Sequence, residues 1–525
     1  MNSTRPTALL LALVGITFAC AGCNTGSRES LATTSGASTA RGASAPLTSA
    51  ANASSAPSAP SSGTAGAAPS VGAPSYPGAG SGTTYYVDGS SGDDSNPGTQ
   101  ASPWRTVDRI EIQTFAPGDL VQIKAGTYDL DTNLRLEGIR GSATAWIGLQ
   151  ADGVVVIRNA GAQNVVSVRD CAYLFLKGLE ITHDNGGAPY SNWTGVDGVK
   201  FEQLDSNDIA LDTCSIHDIG NVGISSQTGE IRGLIVYGCE IADCYTGIYL
   251  GYYEDANKRY AHFSRIANNY IHDCPPQDLD GTGYGIQIKG GSRGNVIEDN
   301  VLVDVAGNSR AGIAVYHAST DRAVASEQNL IRRNFVHRSR GEGVYAAEGA
   351  VIENNLIYES NSSGIVLNRR DSGSWGVFYG NLQVRNNTVY LVGSASARGL
   401  YVGDSSFTGP FVISSNVLVV TGAGQLALRG PGAFAGTATL NRVLGGTSGG
   451  GLGAVNLPGL TVFESTTFGD LGFLRPLAGG DLIDAGDPAW VASDDFRSTA
   501  RGTRPDAGAF EVPVAGPGLA DAFKP

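Results

Sequence analysis

Residues 284–303 decide the fold: Y-G-I-Q-I-K-G-G-S-R-G-N-V-I-E-D-N-V-L-V. The stretch predicts a short strand over 285–289, a turn at the paired glycines 290 and 291, and a second strand that closes on Asp299 and Asn300. Its end recurs as asparagine or cysteine followed, after one residue, by an aliphatic residue: Cys214, Cys239, Asn269, Asn300, Asn334, Asn355, Asn387 and Asn416. Its start recurs as glycine followed by alternating apolar residues: Gly223, Gly247, Gly285, Gly312, Gly343, Gly364 and Gly399.

This repetition, with a period of roughly 30 residues, is typical of a solenoid. Short strands bury their apolar side only when they stack on neighbouring coils about 4.8 Å away. The sequence therefore predicts an all-β, right-handed parallel β-helix, and the leucine framework of leucine-rich repeats is absent. An inward core column is expected at Ile216, Ile241, Ile271, Leu302, Val336, Ile357, Val389 and Leu418. The asparagines should form a hydrogen-bonded ladder at a turn, because asparagine tolerates the left-handed conformation and both donates and accepts.

Composition agrees with a turn-rich β protein and restricts its partners. The chain has 525 residues, of which 73 are glycine and 16% are charged, and its formal net charge is −14. Nucleic acid is not expected as a partner because phosphate binding needs a basic face. Capture of polyanions by overall charge is disfavoured too, although a local basic groove can override the average. We expect a monomer.

The first 83 residues predict export and anchoring. Arg5 precedes an apolar run over 8–19 that is too short to span a membrane. Small residues before Cys23 resemble a bacterial lipobox, so residues 1–22 are expected to be a signal peptide and Cys23 the lipidated residue. An ordinary cleaved signal followed by an unrelated cysteine is the alternative. Residues 23–83 are rich in Ser, Ala, Gly and Pro and predict a disordered tether. The protein would then sit at the cell envelope, at the outer membrane or cell surface, and touch the membrane only through its lipid.

Both ends of the folded part carry recognisable segments. Thr84-Tyr-Tyr-Val-Asp-Gly opens it and Leu482-Ile-Asp-Ala-Gly-Asp-Pro and Asp506-Ala-Gly-Ala-Phe-Glu close it. Over residues 84–512 the chain resembles secreted β-helix proteins of the pectate-lyase-like superfamily, which includes lyases, hydrolases, epimerases and binding proteins. The expected organisation is an N-terminal cap with the first coils at 84–160, β-helix repeats at 161–430, C-terminal coils and a cap at 431–512, and a tail at 513–525.

One outward face is expected to carry a glycan-binding groove. The second and fourth residues after each repeated glycine should point outward, and this face is rich in tyrosine, acids and bases. Tyrosine offers flat apolar area with a polar tip, which suits sugars, although tyrosine is also simply a good strand residue. The predicted substrate-binding residues are Lys200, Glu202, Tyr249, Tyr252, Gln287, Tyr345, Glu348, Asn368, Tyr401 and Asp404.

Lys289 is the sharpest catalytic candidate in that groove. The resemblance implies a lysine or arginine base on such a strand, often with Ca²⁺ holding the substrate carboxylate, in enzymes that cleave uronate polymers by β-elimination. Tyr316 and His317 are then candidate acids, and Arg369 a candidate carboxylate ligand. The alternative is a solvated lysine before a turn.

Metal and disulfide sites are also suggested by register. Four aspartates fall in one register column: Asp218, Asp243, Asp273 and Asp304. Asp278 and Asp280 lie in the loop before Lys289. These carboxylates could form a calcium site, or they could accept hydrogen bonds from turn amides, and the sequence leaves both alternatives open. Cys244 stacks on Cys274, which predicts either a disulfide or two buried thiols.

Three functions remain open from the sequence. The first is a surface-anchored lyase of an acidic polysaccharide with Lys289 as base. The second is a glycan-binding or structural lipoprotein without chemistry. The third and weakest is a glycoside hydrolase using Glu348 and Asp404, two coils or about 9.6 Å apart, which suits inverting geometry at best.

Overall fold

The chain forms a parallel β-helix, as predicted. The computed structural model describes residues 72–184, 196–252, 259–275, 283–307, 310–316, 327–347, 349–368, 382–392, 397–403, 410–422 and 425–512. Each coil contributes strands to three stacks, called stacks 1, 2 and 3 in the order in which the chain visits them within a coil. Neighbouring strands within a stack pair in parallel.

The strand bounds follow this order. Three long strands turn from stack 1 into stack 2: Leu120–Leu130, Ile147–Asn159 and Ala172–His183. Two turn from stack 2 into stack 3: Ser215–Thr228 and Glu240–Leu250. Stack 1 further contains Thr84–Val87, Ser206–Asp212, Ile231–Arg232, Ile235–Tyr237, Ala261–His262, Arg265–Ala267, Val296–Glu298, Asn329–Arg332, Ala350–Glu353, Leu382–Arg385, Phe411–Ser414 and Thr437–Thr439. Stack 2 further contains Tyr270–His272, Val301–Val303, Phe335–His337, Leu356–Tyr358, Thr388–Val392, Val417–Thr421, Asn441–Leu444 and Ala454–Asn456. Stack 3 further contains Leu134–Glu137, Val166–Arg169, Val199–Glu202, Ile286–Ile288, Ala311–Val315, Glu342–Ala346, Ser363–Leu367, Arg398–Val402, Leu426–Arg429 and Gly446–Ser448. The helical elements among the described residues are a short α-helix, Arg109–Ile112, and a 3-10 turn, Leu460–Val462.

The asparagine ladder forms at the corner between stacks 1 and 2. Each side-chain amide donates to the side-chain oxygen of the asparagine one coil on, at 2.9–3.0 Å, and also to a backbone carbonyl. The ladder runs through all six predicted asparagines and one more: Asn269, Asn300, Asn334, Asn355, Asn387, Asn416 and Asn441. Since these side chains are buried, the ladder satisfies polar groups that would otherwise cost about 1–3 kcal/mol each.

The expectation that the ladder asparagines adopt the left-handed conformation was wrong. The residue just before each of them does so, with φ between 50° and 58°: Asn268, Asp299, Arg333, Asn354, Asn386, Ser415 and Leu440. The sharp turn is therefore made one residue earlier. This leaves the ladder residue free to aim its amide into the coil, where hydrogen bonding selects asparagine.

Close approach between coils explains the repeated glycine of stack 3. A Cβ atom built on Gly285 would lie 2.6 Å from the carbonyl oxygen of Gly312, and Gly247 and Gly364 meet the next glycine in the same way. A side chain at these positions would force adjacent coils apart.

The predicted core column is fully buried, and five cysteines line the interior. Ile216, Ile271 and Leu302 are representative of the column, which belongs to one continuous apolar cluster. Cys244 and Cys274 are buried free thiols in this structure, and burial raises the pKa of Cys244. This is the second of the two alternatives left open by the sequence.

The C-terminal segment, residues 457–512, folds back onto the outer side of stack 2. Phe473 and Leu474 pack there against Phe335, Leu356 and Tyr358. Polar contacts come from the left-handed corner residues: Arg333 donates to Asp494 at 2.7 Å, and Asn354 to the carbonyl of Asp494 at 2.7 Å. Apolar packing and these hydrogen bonds therefore hold the C-terminal segment to the side of the coils.

At the other end, residues 72–83, which the sequence analysis assigned to the tether, include packed side chains. Tyr76 stacks on Phe175 with ring centroids 4.2 Å apart, beside Trp146. Among the described residues no helix has the length and apolarity needed to cross a membrane.

We expect Gly285→Ala to lower the free energy of unfolding by about 1–3 kcal/mol, because its Cβ would overlap backbone that cannot move without separating coils. Gly432→Ala is the matched control, since a Cβ there meets open space, and it should change stability by less than about 0.5 kcal/mol. Chemical denaturation measures both. Equal effects of the two changes would contradict the close-approach explanation.

A pH dependence follows from His337, which is buried beneath Phe468 of the C-terminal segment with ring centroids 4.5 Å apart. Burial lowers the pKa of His337, and the neighbouring Arg338 lowers it further, while Glu359 and Asp304 act in the opposite sense. The folded state then binds the proton less readily than the unfolded chain. Stability present above the usual pKa of about 6.5 is lost as the pH falls through that value.

We therefore expect thermal unfolding of the wild type to shift to lower temperature between about pH 7.5 and pH 5.5, and His337→Phe to shift less. The phenylalanine keeps the aromatic contacts but cannot titrate. His262→Phe provides a comparison on stack 1, because burial lowers the pKa of His262 as well. An identical pH shift in His337→Phe and wild type would contradict this role of His337.

Candidate functional site

Stack 3 presents the predicted outward columns. Register pairs Tyr249 with Gln287, Gln287 with Ala314, Ala314 with Tyr345, Tyr345 with Val366 and Val366 with Tyr401. Lys289 and Tyr316 follow two residues after Gln287 and Ala314, so they too point outward on adjacent coils. The alternation that predicted the groove positions is therefore observed.

Lys289 lies between two tyrosine rings at the centre of the site. Its Nζ atom is 5.0 Å from the ring centroids of both Tyr249 and Tyr316. The hydroxyl of Tyr316 is hydrogen-bonded to that of Tyr284, and the guanidinium of Arg310 lies 5.7 Å from the Tyr284 ring. These rings hold the lysine in a fixed position by cation–π attraction.

A partly open cavity of about 100 Å³ adjoins this lysine. It is lined by Asn221, Val222, Gln227, Tyr245, Thr246, Tyr249, Tyr284, Gln287, Lys289 and Arg310. Lys289 and Arg310 are thus two cations in one cavity, and the described residues that line it include no aspartate or glutamate. Such a cavity favours an anionic ligand.

Gln287 has an unsatisfied polar atom in this cavity. Its side chain is 1% exposed, and its Oε1 atom accepts no hydrogen bond from the part of the chain that the structure describes. A buried acceptor without a donor costs about 1–3 kcal/mol. A ligand hydroxyl that donates a hydrogen bond to this atom would recover that cost.

The tyrosines of the face are less open than the sequence suggested. Tyr249 is 6% and Tyr345 2% exposed, because Tyr345 packs in an apolar cluster with Tyr284 and Val366. The hydroxyl of Tyr345 donates to the carbonyl of Asn368. Tyr345 is therefore a packed part of the face, and an open sugar platform at this point was a wrong expectation.

Lys200 and Glu202 lie on the same face but are engaged in ion pairs. Lys200 Nζ is 3.0 Å from the fully buried Asp197, and Glu202 is 2.5 Å from Arg169. The sequence does not show that these two charges are paired, because Arg169 lies on the neighbouring coil and Asp197 lies before the strand.

The other predicted groove residues separate into two groups. Tyr252, Asn368 and Tyr401 are half-buried on or beside stack 3. His317, Glu348, Arg369 and Asp404 lie outside the described residues, and their roles stay predictions.

The aspartate column lies at the corner between stacks 2 and 3, where Asp218, Asp243, Asp273 and Asp304 adopt φ values of 47–56°. Asp304 pairs with Arg338 and Asp273 with His272 at 2.9 Å. Burial raises the pKa of Asp243, and the charges of Asp218 and Asp273 raise it further. The described residues contain no group of three His, Cys, Asp or Glu able to hold a metal ion. Asp278 and Asp280 lie outside them, so calcium stays a prediction.

The lining residues that sequence reasoning missed include Tyr284 and Arg310. Tyr284 stands just before Gly285, and Arg310 two residues before Gly312. Extending the outward alternation two residues back from Gly312 would have found Arg310, whereas Tyr284, one residue before Gly285, falls on the opposite parity.

Comparisons with known proteins concern mainly the fold. Residues 147–326 match the family model described as the right handed beta helix region. A lacto-N-biosidase of Bifidobacterium longum subsp. longum is 24% identical over 262 residues, which cover 39% of this chain and 16% of that enzyme. The chain thus spans about one sixth of the relative's length.

Solved structures are similar at low identity. Pectate lyase Pel9A is 16% identical with a TM-score of 0.47, covering 82% of this chain and 96% of its own. A GH136 lacto-N-biosidase from Eubacterium ramulus is 16% identical with a TM-score of 0.46, covering 71% and 68%. With its three parallel stacks and the family match, the chain has the right-handed parallel β-helix fold.

Proposed function

We propose that this protein cleaves an acidic, uronate-containing polysaccharide by β-elimination, with Lys289 as the base. The observation that carries the proposal is the cavity beside stack 3. It brings Lys289 and Arg310 together, and Nζ of Lys289 lies 5.0 Å from the ring centroid of Tyr316 on the next coil. A retaining or inverting hydrolase generally uses two carboxyl groups at the reacting bond, and the two acids predicted for that role, Glu348 and Asp404, lie outside the described residues.

The step uses groups of this chain. Lys289 acts in its deprotonated form, and its amine takes the proton from the carbon that bears the uronate carboxylate. The electron pair left on that carbon forms a double bond as the bond to the neighbouring glycosidic oxygen breaks. Tyr316, one coil on, donates its hydroxyl proton to the departing oxygen. The proton then returns from Lys289 to Tyr316 through solvent.

Binding groups surround the reacting atoms. Arg310 can pair with the uronate carboxylate, since a guanidinium matches a carboxylate in a bidentate manner. Gln287 can accept a hydrogen bond from a sugar hydroxyl at its unsatisfied Oε1 atom. Tyr249 flanks the lysine and offers part of a ring edge to the sugar.

Export and anchoring through Cys23 belong to the same proposal, because a polymer outside the cell must meet the enzyme there. A calcium ion that holds the substrate carboxylate is a further element of it, and chelator treatment tests this element directly.

We expect wild-type protein to release an ultraviolet-absorbing unsaturated product from at least one uronate polymer, and Lys289→Ala to be slower by a factor of about 10²–10⁴. The free energy of unfolding should fall by no more than about 1–2 kcal/mol, because Lys289 is half-buried and loses two cation–π contacts. Lys124→Ala is the matched control, because Lys124 lies on the first coils, far from Lys289, where it forms an ion pair with Asp152. It should keep full activity.

Other outcomes decide between the alternatives. New reducing ends without an absorbing product would indicate a hydrolase. Binding of the polymer without cleavage would indicate a binding protein. Full activity of Lys289→Ala would place the base elsewhere, with Tyr316 or His317 next to be tested. Loss of activity with chelator would support a metal.

Gln287→Leu separates a ligand-binding role from a structural one. The change removes a buried acceptor without a donor, so it should leave stability unchanged or raise it. The KM for the cleaved polymer should rise about two- to tenfold, as expected for a lost hydrogen bond of about 0.5–1.5 kcal/mol. A fall in melting temperature with unchanged KM would show that Gln287 serves the fold.

A further inference from the structure

Two arginines meet one tyrosine near the far end of stack 3. The guanidinium carbons of Arg398 and Arg429 lie 4.7 Å and 5.1 Å from the ring centroid of Tyr401. Arg429 is the register partner of Tyr401 on the next coil, and Arg398 shares its strand. All three are half-buried.

Neither arginine has a carboxylate partner within the described coils. The register neighbours of Arg398 are Ser363 and Leu426, and that of Tyr401 on the other side is Val366. Arginines elsewhere on the coils do pair: Arg333 with Asp299, Arg338 with Asp304, and Arg385 with Glu353 at 2.8 Å. Two unpaired guanidinium groups on one ring are therefore unusual for a chain of net charge −14.

Two like charges held against one ring repel each other unless an anion lies between or beside them. The ring itself offsets part of this by cation–π attraction, worth about 0.5–1 kcal/mol per cation at exposed sites. A carboxylate or sulfate group would neutralise both arginines, and arginine binds either in a bidentate manner.

The distance from Lys289 indicates that the same polymer can reach both places. Register carries the strand of Lys289 to that of Tyr401 in four steps, through the strands at 313, 344 and 365. Four coil spacings are about 19 Å, which a glycan of several sugar units spans.

We propose that Arg398, Tyr401 and Arg429 form a distal subsite for an anionic sugar unit, several units away from the bond at Lys289. This proposal rests on the proposed function in that the ligand is an acidic glycan. The distal subsite adds a second charged contact, so the affinity depends on the length of the glycan chain. The anion is a uronate carboxylate or a sulfate ester, and the two sources share the same chemistry.

The test measures binding of defined uronate oligomers of increasing length by isothermal titration calorimetry. It uses the full-length protein carrying Lys289→Ala, so that no cleavage interferes. We expect Arg398→Ala and Arg429→Ala each to weaken binding of long oligomers about tenfold and to reduce its salt dependence. Binding of short oligomers, which fill only the cavity at Lys289, should not change. Arg398→Lys should recover part of the loss.

Controls keep the outcomes distinct. Arg232→Ala removes an arginine that stacks on Phe263 at 4.3 Å on stack 1, and it should change neither long nor short oligomer binding. Sulfated oligomers in a parallel titration show which anion is preferred. Equal weakening of short and long oligomers, or no weakening, would overturn the distal subsite.

The same arginine changes are then made in protein with Lys289 intact. Cleavage of short oligomers should be unchanged there, whatever happens to long ones. If no polymer is cleaved but length-dependent binding is lost with the arginines, the lyase proposal fails and the subsite stands. If cleavage occurs and the arginines have no effect on long substrates, the subsite fails and the lyase stands.

Discussion

In-register stacking of one coil on the next is the constraint on which the structure depends. Backbone hydrogen bonds alone do not fix which residue lies above which, because a parallel strand can slip. The buried asparagine ladder removes this freedom. Each amide finds its acceptor at 2.9–3.0 Å only when asparagine lies over asparagine, so a slip would leave several buried polar groups without partners. The glycine column adds a steric limit on the opposite side of the coil, since it lets carbonyl oxygens approach where a Cβ would not fit.

This register is also what builds the site. Lys289 and Tyr316 are 27 residues apart in the sequence. They meet because adjacent coils are aligned. The tyrosines contribute rigid rings that hold a flexible lysine at 5.0 Å from two centroids. The site therefore inherits its geometry from the stacked strands, whereas in many folds such positioning falls to loops.

The fold was predictable because its signals are local and repeated. Asn300 and Gly285 each recur on successive coils, so a single pattern carried the strand, the corner and the core column. The candidate site was predictable in its outward alternation but not in its burial. Exposure of Tyr345 depends on what packs over it, and the pairing of Glu202 depends on Arg169 on the neighbouring coil. The lateral docking of the C-terminal segment was hidden for the same reason, since Arg333 and Asp494 are 161 residues apart.

The distribution of arginine partners separates structure from function along these coils. At the corner between stacks 1 and 2, Arg333 is buried and contacts Glu298, Asp299 and Asp494, and breaking such a network leaves an uncompensated charge. These ion pairs fix the C-terminal segment. On the later coils of stack 3, Arg398 and Arg429 lie against the ring of Tyr401 and have no carboxylate among their described neighbours. A ring attracts a cation without neutralising it, so the charge of Arg398 and Arg429 stays available to an anionic ligand.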